Sequence, residues 1–114
     1  MFMSPRRRKI DWEKFGSDIV SRVIEGLDYW CWHVSGDPVV DCYESHMDLS
    51  LYDLASEFSN WSITGIGDKD LELLSKMPDD IYDKFDNEIK EYIESVVKEL
   101  AKYREEEEEE SYLE

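Results

Sequence analysis

Apolar residues recur at three- and four-residue steps in two long stretches, one near each end of the chain. Such steps place the residues on one face of a helix. The first stretch follows Asp11, a residue type that often caps a helix N-terminus. Its stripe consists of Trp12, Phe15, Ile19, Val20, Val23, Ile24 and Leu27. The second follows Pro78 and Asp79, and its stripe consists of Ile81, Phe85, Ile89, Tyr92, Ile93, Val96, Leu100 and Tyr103. We predict two amphipathic helices, the second being the longest element.

Two shorter helices are predicted between them. One begins at Ser50 or Asp48, both of which are N-cap residue types, and its apolar positions are Leu51, Leu54, Ala55, Phe58 and Trp61. After a loop over residues 62–67, another begins at Asp68 and carries Leu71, Leu74 and Met77. Pro78 ends it, since proline removes a backbone donor and restricts the preceding residue.

The segment between Tyr29 and Glu44 is rich in aromatic and β-branched residues on either side of the turn-forming sequence from Ser35 to Pro38. This composition favours a β-hairpin. The alternative is a helix capped by Asp37 with Pro38 as its first residue. We favour the hairpin and predict a mainly α fold with one small β-hairpin (α+β), the alternative being all-α. Trp30, Trp32 and Trp61 are interpreted mainly as core residues.

The 114 residues are enough for one modest core. We divide the chain into a basic flexible tail (1–10), a single acidic globular domain (11–104) and an acidic flexible tail (105–114). The sequence has 29 Asp and Glu against 13 Lys and Arg, a formal net charge of −16. Without residues 1–9 and 105–114, 22 acids and 9 bases remain. The predicted domain is therefore acidic by itself, which disfavours direct contact with nucleic acid or anionic lipid and favours basic partners.

The acids are distributed unevenly within the domain. Between Arg22 and Lys69 there is no Lys or Arg, although this span contains nine acids. The last predicted helix instead alternates glutamates with Lys84, Lys90, Lys98 and Lys102, as in a solvated helix with i,i+4 pairs. The central acids therefore lack partners of opposite sign in their own segment. We predict that they bind a basic surface on another protein.

No apolar run approaches the roughly 18 residues of a membrane span, and the N-terminus lacks the apolar segment of a signal peptide. We expect a cytoplasmic location. No residue set has the order or spacing of a catalytic site, so we expect a protein that is not an enzyme and needs no cofactor.

Both cysteines and both histidines of the chain lie within 16 residues, at Cys31, His33, Cys42 and His46. Their residue types match a Cys₂His₂ zinc site, but the usual ligand spacings are absent. In the predicted hairpin, Cys31 lies opposite Cys42 while His46 falls several rows away. We favour a structural role for these residues without metal; zinc binding and a Cys31–Cys42 disulfide remain as alternatives.

Carboxylates one helical turn apart, or at alternate positions of a strand, are separated by about 6 Å. This is comparable with the phosphate spacing along DNA, which basic DNA-binding surfaces match. We predict that eight acids bind the partner: Asp37, Asp41, Glu44, Asp48, Asp53, Glu57, Asp83 and Asp86.

In its length, acidity, helical pattern, long last helix and run of six glutamates from Glu105 to Glu110, the chain resembles the DNA-mimic proteins of bacteriophages, in particular the Ocr-type anti-restriction proteins. The resemblance implies an inhibitor that occupies the DNA-binding surface of a host defence enzyme, often as a dimer. The basic tail from Arg6 to Lys9 and the predicted hairpin depart from that family. One alternative is an immunity protein or antitoxin that neutralises a basic toxin. Another is an assembly adaptor that forms a homodimer through the last helix.

Overall fold

The computed structural model of the chain describes the backbone of residues 10–113 and the side chains of residues 10–102. These residues form five α-helices and one π-helical turn. The helices are α1 (Trp12–Tyr29), α2 (Val39–His46), α3 (Leu51–Glu57), α4 (Asp68–Ser75) and α5 (Asp79–Leu113). The π-helical turn (Trp30–Val34) continues directly from α1. The predicted basic tail lies outside the described residues apart from Ile10.

Helix α1 begins where the sequence predicts, with the Asp11 side chain accepting a hydrogen bond from the Lys14 backbone N–H at 3.1 Å. Two glycines allow close packing on its buried face. A Cβ atom at Gly16 would lie 2.2 Å from the Phe85 ring, and one at Gly26 would lie 2.7 Å from the Thr64 methyl group. The glycines weaken the isolated helix, but they let α5 and the loop before α4 approach it closely.

The two short helices are also present, although α3 ends at Glu57 and α4 at Ser75, before the predicted positions Trp61 and Met77. Ser50 caps α3, its hydroxyl accepting a hydrogen bond from the Asp53 backbone N–H at 3.2 Å. Helix α4 begins at Asp68, and the Asp70 carboxylate reaches back to the Gly67 backbone N–H at 3.0 Å. Helix α5 starts at Asp79, directly after Pro78 and one residue earlier than predicted, so Asp79 lies in its first turn and is not its cap.

The predicted β-hairpin is wrong, and the all-α alternative is the better description. The structure contains no β-strand among residues 10–113. The segment from Trp30 to Val34 widens the end of α1 into a π turn, which closes with the Ser35 N–H donating to the Trp30 carbonyl at 2.8 Å. Helix α2 starts at Val39, with Pro38 as its N-cap and no side-chain cap from Asp37. The apolar residues of this segment fit the period of a helix as well as the alternating pattern of a strand. The preference of such residues for strands depends on what they pack against in the fold.

One apolar core lies where α1, α2, α3 and α5 meet, with α4 closing one side. Its largest fully buried side chains are Tyr43, Phe58, Ile19, Leu27, Leu51, Leu54, Ile66, Leu74, Ile89 and Ile93. The backbone of α5 continues through Glu105 to Leu113 as helix; that residues 105–114 form a flexible tail stays a prediction. In the described part of the chain, no helix combines the length and apolarity needed to cross a membrane.

Candidate partner-binding surface

The outer side of α2 and the start of α3 present a run of exposed carboxylates. Asp41 and Glu44 lie one turn apart on the exposed face of α2, because Val40, Tyr43 and His46 fill its buried face. We use the name outer carboxylates for four described acids, all exposed: Asp37 before α2, Glu44 on it, Asp48 after it and Asp53 in the first turn of α3. None of these four forms an ion pair with another described residue.

Four described basic residues form ion pairs with acids other than the outer carboxylates: Arg22, Lys76, Lys84 and Lys90. Arg22 pairs with Asp18 at 3.1 Å and with Asp70 at 3.7 Å. Its guanidinium also donates to the Gly65 carbonyl at 3.0 Å. Lys84 pairs with Glu13 across the α1–α5 contact. None of the ion pairs formed by described basic side chains involves an outer carboxylate.

The two predicted acids on α5 differ: Asp83 is exposed, whereas Asp86 is bonded within the fold. The start of α3 docks on α5: the Leu51 N–H donates to Asp86 at 2.8 Å and the Tyr52 N–H to the Tyr82 hydroxyl at 2.9 Å. Asp86 also accepts from Lys90 at 3.0 Å, and its side chain is only 15% exposed. Asp83 is exposed on the same turn of α5. Of the two acids predicted there, Asp83 is available to a partner and Asp86 holds α3 in place.

Asp28, which was not predicted as a site residue, organises a polar contact at the centre of the fold. Its carboxylate accepts hydrogen bonds from the hydroxyls of Tyr43 on α2 and Tyr92 on α5, the latter at 2.7 and 2.9 Å. The Trp32 indole N–H donates to the Tyr43 hydroxyl at 3.1 Å. Burial, reinforced by the hydrogen bond to Asp28, raises the pKa of Tyr43 and Tyr92 well above their ordinary value. We call Asp28 and Asp86 the inner carboxylates, since both bond to other parts of the fold.

Glu57 is also bonded within the protein, although its side chain remains partly exposed. Its carboxylate lies 2.7 Å from Nε2 of His46, which is buried on α2. His46 lies beside Cys31 and Cys42, which are joined by a disulfide. The favoured interpretation of these cysteines, a structural role without a bond between them, is therefore corrected: the structure contains the disulfide alternative.

An apolar patch lies next to the π turn. Trp32 is 53% exposed, which corrects its interpretation as a core residue, and Tyr29, Val34 and Ile63 are exposed as well. Trp30 and Trp61 are partly buried and pack against each other with ring centroids 5.8 Å apart. Together with Ser62, residues of this patch line a shallow hollow of about 430 Å³: Tyr29, Trp30, Val34, Trp61 and Ile63. Exposed aromatic residues around a hollow are typical of protein-binding sites.

The sequence carries signals for the contacts that were missed. Asp28 continues the four-residue steps of Val20 and Ile24, so a charged residue stands on an otherwise apolar stripe. Such a residue needs hydrogen-bonding partners when the helix packs. Cys42 and His46 are spaced one helical turn apart, but this spacing brings them together only if the segment is a helix.

No protein-family model, curated protein or solved structure is detectably similar to this chain.

Proposed function

We propose that this protein is a non-catalytic inhibitor that covers the DNA-binding surface of a nucleic-acid-processing or defence enzyme with its own carboxylates. The observation that carries the proposal is the state of the outer carboxylates. They are exposed, lie on a segment with no Lys or Arg between residues 22 and 69, and form no ion pair with any described side chain. Unpaired acids repel one another, so a complex that supplies cations relieves this repulsion.

The scaffold supports rigid presentation of these acids. Helix α2 packs on α5 and the π turn, and α3 is fastened to α5 through Asp86 and Tyr82. Asp41 and Glu44, one turn apart on α2, are separated by about 5 Å along its axis. A surface that already holds its charges in place loses less conformational entropy when it binds. Lys and Arg side chains arranged to meet phosphates would therefore meet these acids at little ordering cost.

The experiment compares two sets of four charge-neutralising substitutions. The test variant carries Asp37→Asn, Glu44→Gln, Asp48→Asn and Asp53→Asn. The control carries Glu88→Gln, Glu91→Gln, Glu94→Gln and Glu99→Gln, four exposed acids on the lysine-containing face of α5. Both sets change the net charge equally. The readout is inhibition of DNA cleavage by a panel of purified restriction endonucleases and RNA-guided nucleases at low salt.

We expect the unmodified protein to inhibit a member of the panel, the control to inhibit it nearly as well, and the test variant to lose at least about tenfold in potency. Excess duplex DNA should relieve the inhibition, because the protein and DNA compete for one surface. Equal potency of the test and control variants would reject the outer carboxylates as the binding surface.

The apolar patch favours a second candidate, an immunity protein or antitoxin that binds one basic toxin. Tyr29 lines the hollow and Trp32 is exposed outside it, and aromatic residues of this kind often provide much of the affinity of a protein interface. A DNA-binding groove offers fewer apolar contacts. For this function, Trp32→Ala should weaken binding more than the loss of any one outer carboxylate, and excess duplex DNA need not displace the protein. The homodimer predicted through the last helix, and the adaptor role that depends on it, can be tested by sedimentation at two concentrations.

A further inference from the structure

Three metal-ligating side chains meet beneath the outer surface of α2. The sulfurs of Cys31 and Cys42 and a ring nitrogen of His46 lie within 4.8 Å of one another. Cys31 is 2% exposed, Cys42 is 3% exposed and His46 is 7% exposed. In this structure the two sulfurs are bonded to each other. The same sulfurs become two adjacent thiols whenever that bond is reduced.

Two neighbouring elements supply the three donors. Cys42 and His46 lie one turn apart on the buried face of α2, and Cys31 lies on the π turn that packs against it. Two Zn–S bonds of about 2.3 Å at a tetrahedral angle place the sulfurs roughly 3.8 Å apart. Reduction of the disulfide therefore requires only a small separation of the sulfurs to reach that distance.

One nitrogen of His46 has the partner that a metal-binding histidine commonly has. Its Nε2 atom lies 2.7 Å from the Glu57 carboxylate. Its Nδ1 atom lies 2.7 Å from the Cys42 carbonyl oxygen and 3.2 Å from the Ser45 hydroxyl, so a metal bound at Nδ1 replaces these hydrogen bonds. A histidine that binds a metal through one nitrogen commonly donates its other N–H to a carboxylate, which orients the ring. Glu57 on α3 is in place for this role.

We propose that the dithiol form of this protein binds one zinc-class cation through Cys31 Sγ, Cys42 Sγ and His46 Nδ1, with Glu57 orienting the histidine. Two thiolates and one imidazole form a ligand set that is typical of Zn²⁺. Three protein ligands leave the fourth tetrahedral position to water. His33 takes no part, because it is exposed and its ring packs against Tyr29 at 5.4 Å.

A phosphine reduces the Cys31–Cys42 disulfide to the dithiol form. Reduction of the disulfide takes up two electrons and two protons to give two thiols, while the phosphine is oxidised to its oxide with an oxygen atom from water. Binding of the divalent cation then displaces the two thiol protons. Oxidation to the disulfide removes both thiolates and expels the ion, so metal binding is confined to the reduced protein.

The test uses the full chain reduced with a phosphine under anaerobic conditions and titrated with Co²⁺, which reports tetrahedral thiolate ligation by its absorption. We expect saturation at one equivalent, with thiolate-to-cobalt charge-transfer bands that disappear when Zn²⁺ is added. The disulfide form, titrated in the same way, should show no such bands. Bands of equal strength in the disulfide form would overturn the proposal, because its sulfurs cannot act as thiolates.

Four variants assign the ligands. Cys42→Ser should abolish the charge-transfer bands, and His46→Gln should weaken Co²⁺ binding at least about 100-fold. Glu57→Gln should weaken it about tenfold, as is typical when the hydrogen-bond partner of a ligand is lost. His33→Asn should bind as the unmodified protein does. Equal affinity of the His46→Gln variant and the unmodified protein would overturn the three-ligand site.

Circular dichroism of the reduced protein separates loss of the site from loss of the fold. If the metal-free dithiol form stays helical and Co²⁺ produces no thiolate bands, the proposal is wrong. If reduction unfolds the protein, one equivalent of Zn²⁺ should restore the helical signal, because binding energy then contributes to folding. Failure of Zn²⁺ to restore it would equally overturn the proposal.

Discussion

The inner and outer carboxylates belong to one acidic chain, yet the fold uses them in opposite ways. Asp28 and Asp86 lie where helices meet and accept hydrogen bonds from residues distant in sequence. The outer carboxylates, from Asp37 to Asp53, point into solvent and bond to no described cation. The net charge of −16 does not distinguish the two groups. Their positions do, which separates acids that stabilise the fold from acids available to a partner.

The largest effect on stability is expected when Asp28, one of the inner carboxylates, is removed. Replacement of Asp28 by alanine leaves the hydroxyls of Tyr43 and Tyr92 without their acceptor in a largely buried place. Loss of hydrogen bonds to a charged group, with donors left unsatisfied, should lower the free energy of unfolding by about 3 kcal/mol. Urea denaturation measures the change. Asp48→Ala, on the outer side, is the matched control and should change stability by less than about 0.5 kcal/mol. A decrease below about 1 kcal/mol for Asp28→Ala would contradict the structural role of the network.

Raising the pH tests the hydrogen bonds of Tyr43 and Tyr92 to Asp28 without mutation. The pKa of Tyr43 and Tyr92 is raised in the folded state, chiefly by burial. Above about pH 10 the unfolded tyrosines lose their protons while the folded ones keep them. The unfolded state then binds fewer protons, so stability falls as pH rises. The stabilisation is complete below pH 10 and decreases above it by up to about 1.4 kcal/mol per pH unit for each tyrosine.

Urea denaturation between pH 9 and pH 11 measures this slope. Tyr92→Phe removes one of the two tyrosines and should reduce the slope by up to about 1.4 kcal/mol per pH unit. Tyrosinate absorption of the folded protein should also show that two of the tyrosines titrate late. An unchanged slope in the Tyr92→Phe variant would show that the loss at high pH has another origin.

The order of the helices could be predicted from apolar periodicity and capping residues, because both signals depend only on residues close in sequence. Asp11, Ser50 and Pro78 mark the starts of α1, α3 and α5 as predicted. The hairpin failed because the segment around Cys31 and Cys42 has residues suited to either period, and tertiary packing against α5 decided between them. The incorrect strand assignment also separated His46 from the cysteines, so it concealed the cluster that the helix brings together.

Counts of charged residues do not show which acids are bonded within the fold and which are exposed. The span without Lys or Arg contains the four outer carboxylates, which form no ion pair with a described residue, but Asp28 and Glu57 within it bond to tyrosine and histidine side chains. The helical spacing of Asp83 and Asp86 predicts both as binding acids. Its role depends on the docking of α3, a contact between residues 35 positions apart. Local patterns do not contain such contacts.

A smaller effect on stability is expected at Asp86. Alanine there removes the acceptor of the Leu51 N–H at the start of α3 and the partner of Lys90. The loss resembles that of a helix cap together with a partly exposed ion pair, so the free energy of unfolding should fall by about 1.5 kcal/mol. Thermal and urea denaturation measure it, with the neighbouring Asp83→Ala as control. Equal stabilities of the two variants would place Asp86 with the outer group.

The smallest effect is expected when all four outer carboxylates are neutralised by the Asn and Gln substitutions described above. Each acid bonds to no described cation and some repel one another, so the stability should change by less than about 0.5 kcal/mol or rise slightly. Any rise should shrink in 0.5 M salt, since added ions screen the repulsion in the unmodified protein. Urea denaturation at two salt concentrations measures both changes. A fall of more than about 1 kcal/mol would mean that these acids hold the fold together. The inner and outer carboxylates would then not differ in their contribution to stability.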